Sequence, residues 1–362
     1  MFDRIQKIGT IIGSNNLIVN GDIVANRDIL TTIAAQLLRQ DLEILSQEAK
    51  AEMNACVNEC TQKVLEQVIE KKLEERLAEF VHPSTQWAFY TTLKGYSLSE
   101  TQEQRDMMVD SMIDWIQENW ATTERMIIDT ALEILPKLTP IALSTLGLLQ
   151  LRHQLYLAPI GIMLDHYFSS LTPLAEQMAG IGTLDVEFLK QEKLLLPLPG
   201  LKSMLPFEQN MLTNYDLFFR KPLPAGVYED YCKLHPEAHE AVTDKPMAAC
   251  MMWTDGTKNN QSAFCSPNSR LLKQALIERH QEYIIPHVDA LMGMMTPFSE
   301  QEVRAYFINF TPTWERLIKI FSSEAFINYT LSITGNYIGG KMLAKLCHGK
   351  PLPLSNYNKE SL

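Results

Sequence analysis

The sequence predicts a mainly α-helical protein: a multi-helix bundle with a long first helix, preceded by a short β-meander. Three observations carry this. From Asp28 to Val81 the chain runs without Gly or Pro. Apolar residues in that run recur at steps of three and four, the spacing of one helix face. Later segments open on helix-start signals such as Thr139-Pro140 and are joined by short connections.

The meander rests on Asn20-Gly21 between Ile18-Val19 and Ile23-Val24. Asn and Gly both tolerate the positive φ of a two-residue hairpin turn. Gly13-Ser14-Asn15-Asn16 supplies a second turn, between Ile11-Ile12 and Leu17-Ile18. Three such short strands are not stable alone. They either fold back on the helical body or pair with copies of themselves, because open strands expose unpaired backbone.

Asn26 or Asp28 is the expected cap of the long helix. Its stripe is Ile33, Leu37, Leu38, Leu42, Leu45, Ala49, Met53, Cys56, Cys60, Val64 and Val68. Unbroken, it would be on the order of 80 Å long. The steps are not strictly heptad, so a bundle seam fits better than a two-stranded coiled coil. His82-Pro83 ends it. Ser99 with Gln102 reads as a capping box opening a helix to about Trp120. Thr122 or Thr123 starts the next, to Pro136. Thr139-Pro140 launches a helix to Leu157, and Pro159 another to about Ser170.

Composition changes at Pro197. Eight prolines fall between there and Pro267, with helices expected near 207–220 and 226–234. Helix resumes from Asn268 to about Met295, kinked at Pro286. Then come 299–309, with Ser299 and Glu302 as a capping box, 312–321, and a last segment from Ser323. The divisions read from this pattern are 1–27, 28–196, 197–267 and 268–362.

The chain has 362 residues, 46% hydrophobic and 21% charged, with a net charge of −11. That supports a large core, and it argues against broad binding to nucleic-acid phosphates, which needs clustered Lys and Arg. The six cysteines are sparse and the N-terminus lacks the apolar core of a secretion signal, so a reducing cytoplasm is expected. The most apolar passage, Leu138–Leu164, is interrupted by Gln150, Arg152, His153 and Gln154. It reads as buried helix rather than a membrane span.

Chemistry-bearing clusters are few. Cys232, His235, His239, Cys250 and Cys265 bring thiols and imidazoles together in the Pro-rich section, and Cys-x2-His-x3-His looks like half of a structural zinc site. No paired Cys-x2-Cys accompanies it, so no cofactor is expected, with zinc as the alternative. Cys56 and Cys60 lie on the apolar stripe and read as core residues. Asp165-His166 and Arg152-His153 sit in apolar helical passages, as core or interface histidines do. His280 and His287 are seven apart and read as surface residues of one helix face. Gly335-x-x-x-Gly339 marks close helix packing. Phosphate-loop, Gly-x-Ser-x-Gly, His-Glu-x-x-His and kinase signatures are missing from the sequence.

Three stretches carry a family resemblance: Gly13-Ser14-Asn15-Asn16…Asn20-Gly21-Asp22 with the helix that follows, Ala131–Leu146, and Leu331–Gly339. Together they resemble an uncharacterised bacterial family of the LPO/Vpar type. Openings of this Gly/Asn-rich kind are also similar to those of bacterial defence and signalling proteins. The resemblance implies a role in conflict with phage, and it brings no catalytic residues.

The expectation is therefore a non-enzymatic, cytoplasmic homo-oligomer acting as sensor or scaffold in anti-phage defence. Ile12, Leu17, Val19, Asn20, Gly21, Ile23, Leu38, Leu42 and Leu45 would serve assembly, and a protein partner or phage-derived trigger would act on it. The alternatives are a nuclease or hydrolase with a metal site in 197–267 at Cys232, His235, His239 and Cys250, or an effector that exposes Leu138–Leu164 to a membrane.

Overall fold

The computed structural model describes residues 23–43, 45–118, 122–150, 168–199, 203–224, 226–236, 253–254, 262–264, 266, 268–278 and 280–346. Across these the protein is mainly helical. Two compact units are present, one running to Pro140 and one from Ile141 to Tyr357.

The first unit holds α1 (Ile23–Glu43), α2 (Gln47–Glu70), a 3-10 turn (Glu74–Val81), α3 (Pro83–Leu98), α4 (Gln102–Gln117) and α5 (Thr123–Ile134). The long helix expected over 28–81 is thus interrupted. The chain bends at Leu45, and Ser46 caps α2 by accepting the Ala49 N–H at 3.3 Å. A side-chain cap ends one helix and starts another without any Gly or Pro. A second break falls at Lys72, whose φ of 56° leaves the helical region. Ile23 and Val24, expected as a strand, belong to α1. The other residues of the expected meander lie outside the described residues.

α3 is the hub of this unit, packed against α1, α2, α4 and α5. Its Phe89 meets Phe80 edge-to-face at 5.2 Å, and Cys60, Val64 and Val68 of α2 are fully buried. Cys56 and Cys60 are buried free thiols, as the stripe predicts. The stripe of α1 is also internal: Leu30, Ile33, Ala34, Leu37 and Leu38 are all buried. Leu42 lies in α1, and Leu45 is half-buried at the bend.

The capping box of α4 is Thr101 with Gln104, two residues beyond the expected Ser99 and Gln102. Thr101 Oγ1 accepts the Gln104 N–H at 3.2 Å, and Gln104 Oε1 accepts the Thr101 N–H at 3.0 Å. Ser99 instead donates to the Gly95 carbonyl at 2.8 Å, closing α3. Thr122 caps α5 as expected.

The second unit contains α6 (Pro140–Leu149), α7 (Thr172–Met178), α8 (Thr183–Gln191), β1 (Leu195–Pro197), α9 (Phe207–Asn214) and α10 (Val227–Leu234). It continues with β2 (Trp253–Thr254), β3 (Ser262–Ala263), α11 (Ser269–Glu278), a 3-10 turn (Glu282–Ile284), α12 (Ile285–Met294), α13 (Glu300–Phe310) and α14 (Thr313–Phe321). α15 (Glu324–Ile327), β4 (Tyr329–Leu331) and α16 (Ile333–Leu346) complete it. β1 pairs antiparallel with β4, Leu195 facing Leu331, and β2 with β3.

Aromatic rings fill one part of its core. Phe307 lies 4.7 Å from Trp314, 4.8 Å from Phe168 and 5.0 Å from Phe207, and Phe207 stacks on Phe321 at 5.4 Å. The Pro-rich section shares its core with the helices that follow. Leu217, Leu223, Tyr228, Tyr231, Cys232 and Phe264 cluster with Leu272, Leu276, Val288 and Leu291. The helix expected over 268–295 breaks before Pro286: α11 stops at Glu278, and His280 turns the chain at φ 56°. Pro286 then sits in the first turn of α12, where its missing N–H costs nothing.

α16 carries the two glycines expected to mark close packing, and both do. A Cβ on Gly335 would come within 2.5 Å of the Leu194 carbonyl oxygen, and one on Gly339 would collide with the Leu146 carbonyl oxygen. Among the described residues no helix is long and apolar enough to cross a membrane.

Candidate functional site

The best-formed cluster of chemistry-bearing side chains is built on α10. Gly226, at φ 82°, turns the chain into that helix. Tyr228, Tyr231 and Cys232 recur at three and four residues, so they share one face and bury it in the core with Leu272 and Val288. His235 closes the helix: its N–H reaches the Tyr231 carbonyl at 3.0 Å, and its backbone has left the helical region at φ −131° and ψ 75°. Its ring lies over that of Tyr231, with centroids 4.6 Å apart.

The partner comes from α12. His287 stands in the first turn of that helix, which Lys273 of α11 holds through an ion pair to Asp289 at 2.6 Å. From the other side Arg220 caps the last turn, donating to the carbonyls of Met292 and Met295, each at 2.9 Å. So anchored, His287 places its Nδ1 2.9 Å from the Tyr231 hydroxyl. The imidazole tautomer decides which of the two donates. The His235 and His287 rings lie 5.3 Å apart and are inclined by 55°. Both are half-buried.

Cys232 belongs to the apolar side of the same helix. Burial pushes its thiol above the ordinary range, only partly offset by the Tyr228 hydroxyl beside it, and burial pushes the Tyr228 phenol up as well. A thiol held protonated is a weak nucleophile and a poor metal ligand until it loses that proton. Of the proposed Cys/His ligands, Cys232 therefore faces core while His235 faces His287. His239, Cys250 and Cys265 lie outside the described residues, as do Arg152, His153, Asp165 and His166. Among the described residues no group of three or more His, Cys, Asp or Glu is placed to hold a metal ion.

His280 and His287 do not share one helix face. His280 occupies the turn between α11 and α12 and is exposed, whereas His287 is packed into the ring cluster. The Tyr231-x-x-x-His235 spacing foreshadows one ring contact. Nothing local foreshadows His287, 56 residues further along from Tyr231.

A second polar cluster sits in the first unit. Arg125, 4% exposed, donates from Nη2 to Glu79 Oε2 at 3.0 Å and from Nε to the Trp115 carbonyl at 3.1 Å. Its guanidinium lies 4.0 Å from the Trp115 ring centre, and Trp115 Nε1 donates to Asp129 at 2.9 Å. These contacts tie α4, α5 and the 3-10 turn together.

A protein-family model matches residues 30–356. The chain belongs to that family. The match spans both helical units and agrees with the Vpar-type resemblance at the level of an uncharacterised family. No curated protein and no solved structure matches the chain.

Proposed function

We propose that the protein is a non-catalytic helical scaffold or sensor that self-assembles, with anti-phage defence as its setting. One observation carries the scaffold reading: in each unit, buried polar side chains link one element to another. Arg125 joins the turn before α3 to α4 and α5, and Arg304 of α13 pairs with the buried Glu208 of α9 at 2.8 Å. Asp216 accepts the Ser269 N–H at 2.8 Å and holds the start of α11. Such links stiffen a body that works by binding. The defence setting follows from the family resemblance alone.

Assembly is assigned to Ile12, Leu17, Val19, Asn20 and Gly21, and to the half-buried Leu45. Light scattering on the full chain and on a chain lacking residues 1–22 tests this. An oligomer that falls to a monomer on truncation is expected, and a monomer in both ends the proposal.

The enzyme reading has one specific support, the Tyr231–His235–His287 cluster, in which a phenol and two imidazoles supply acid–base groups. Loss of a hydrolytic activity in the full-length His287→Ala variant, against an unchanged His280→Ala control, would favour it.

A further inference from the structure

We infer that the outward face of α3 is a self-contact surface, on which a second copy of this chain packs the same helix. The starting observation is a row of side chains at helical spacing. α3 buries Ala88, Phe89, Leu93 and Tyr96, yet Trp87 and Leu98 are 37% and 60% exposed. Lys94 is exposed between them. Steps of seven and four residues bring these three within about 40° of one another around the helix axis. The Trp87 ring lies 5.6 Å from that of the half-buried Tyr90, and Lys94 Nζ lies 5.7 Å from the centre of the Tyr90 ring. The row thus has two aromatic rings at one end, an ammonium in the middle and an aliphatic side chain at the other end.

Charge decides what covers it. The chain carries a net charge of −11, so two copies repel wherever acids line both sides of a contact. Every other α-helix of the first unit holds at least three Asp or Glu, whereas α3 holds none. Its outer row is therefore a face on which two copies can meet without opposing carboxylates. The row is also self-complementary. In an antiparallel two-fold pairing, Trp87 of each copy meets Leu98 of the other. Each Lys94 then comes within reach of the other copy's Tyr90 ring, a cation–π contact.

The contact is small. Three helical turns bury less than the roughly 1,200–2,000 Å² of a stable interface, so association is weak and belongs to the upper micromolar range. It is separate from the assembly assigned to residues 1–22, and it needs more protein than the dilute solution in which their loss leaves a monomer. Added salt screens the net repulsion and breaks no ion pair across this row, so salt should tighten the contact.

The test is analytical ultracentrifugation of the full-length chain from low to high micromolar protein, at low and high salt. The parent's mass should rise with concentration, and rise earlier at high salt. Trp87→Ala should move that rise to about 30-fold higher concentration, the effect of truncating a buried interface tryptophan. Leu98→Glu, at an exposed position that the fold does not need, should do the same by placing an acid in the row. Leu184→Glu, on the exposed start of α8, should leave the curve unchanged. Circular dichroism confirms that each variant is folded. A parent whose mass does not rise overturns the inference and leaves the face to a different partner. So do stripe variants that follow the parent curve, a Leu184→Glu curve shifted as far as theirs, or association that weakens in salt. Assembly through residues 1–22 is untouched by these outcomes, because every variant retains them.

Discussion

At the scale of single residues, the buried charge of Arg125 is the most exposed to test. It satisfies Glu79 and the Trp115 carbonyl at once while covering the indole ring. Removing one partner of a buried pair strands the other, so Arg125→Ala should cost about 3 kcal/mol or more in urea unfolding. Asp129 gives a pH prediction. Burial raises its carboxyl above the ordinary range, although the Trp115 N–H pulls the other way. A carboxyl raised in the folded state favours folding while protonated, and that advantage is lost as pH rises through its titration. Asp129→Asn keeps an acceptor for Trp115 and removes the ionisation. The variant should match the parent at low pH and become relatively more stable as pH rises above about 4, followed by thermal melts across pH. None of this network was legible in the sequence. Its members are scattered from Glu79 to Asp129, and only the fold brings them together.

At the scale of elements, most of what local chemistry specifies was readable. Thr122, Pro140 and the Ser299–Glu302 box all start helices where their side chains predict. Two failures share one cause, namely that polar residues offer more than one cap. Ser99 and Thr101 both precede a glutamine by three residues, and the box forms at Thr101 because Ser99 is closing α3. Ser46 stops the long helix although the segment holds no breaker. Glycines supply the element-scale prediction. Gly293 in α12 has open space where a Cβ would stand, so Gly293→Ala should stabilise by about 0.5–1 kcal/mol. Gly339→Ala should instead lower stability by about 1–3 kcal/mol, since its Cβ meets the Leu146 carbonyl. Chemical denaturation of both variants measures the contrast.

At the scale of the whole molecule, the helical class and the match over 30–356 were legible as class and resemblance. The pairing of the Pro-rich section with α11 and α12, and the site it creates, was not, because contacts across such separations leave no periodic trace. The assembly reading also gains a discriminating control. Leu38, expected from the sequence to serve assembly, is instead fully buried within its own unit. Leu38→Ala should therefore cost about 2–5 kcal/mol of stability yet leave the mass in solution unchanged, while deletion of residues 1–22 should do the reverse.

The close seat of α16 has a consequence for how the chain is made. Its glycines lean on the carbonyls of Leu146 and Leu194, its Asn336 carbonyl accepts from Gln150 across 186 residues, and β4 just before it completes the pairing with β1. The partners of α16 are synthesised far ahead of it. Until residues near Leu343 have left the ribosome, α6 and β1 wait with an apolar face uncovered. Folding of the second unit is thus a late event, dominated by distant pairings and slow for that reason. The first unit has all of its described helices by Ile134 and can form while the rest is still being translated.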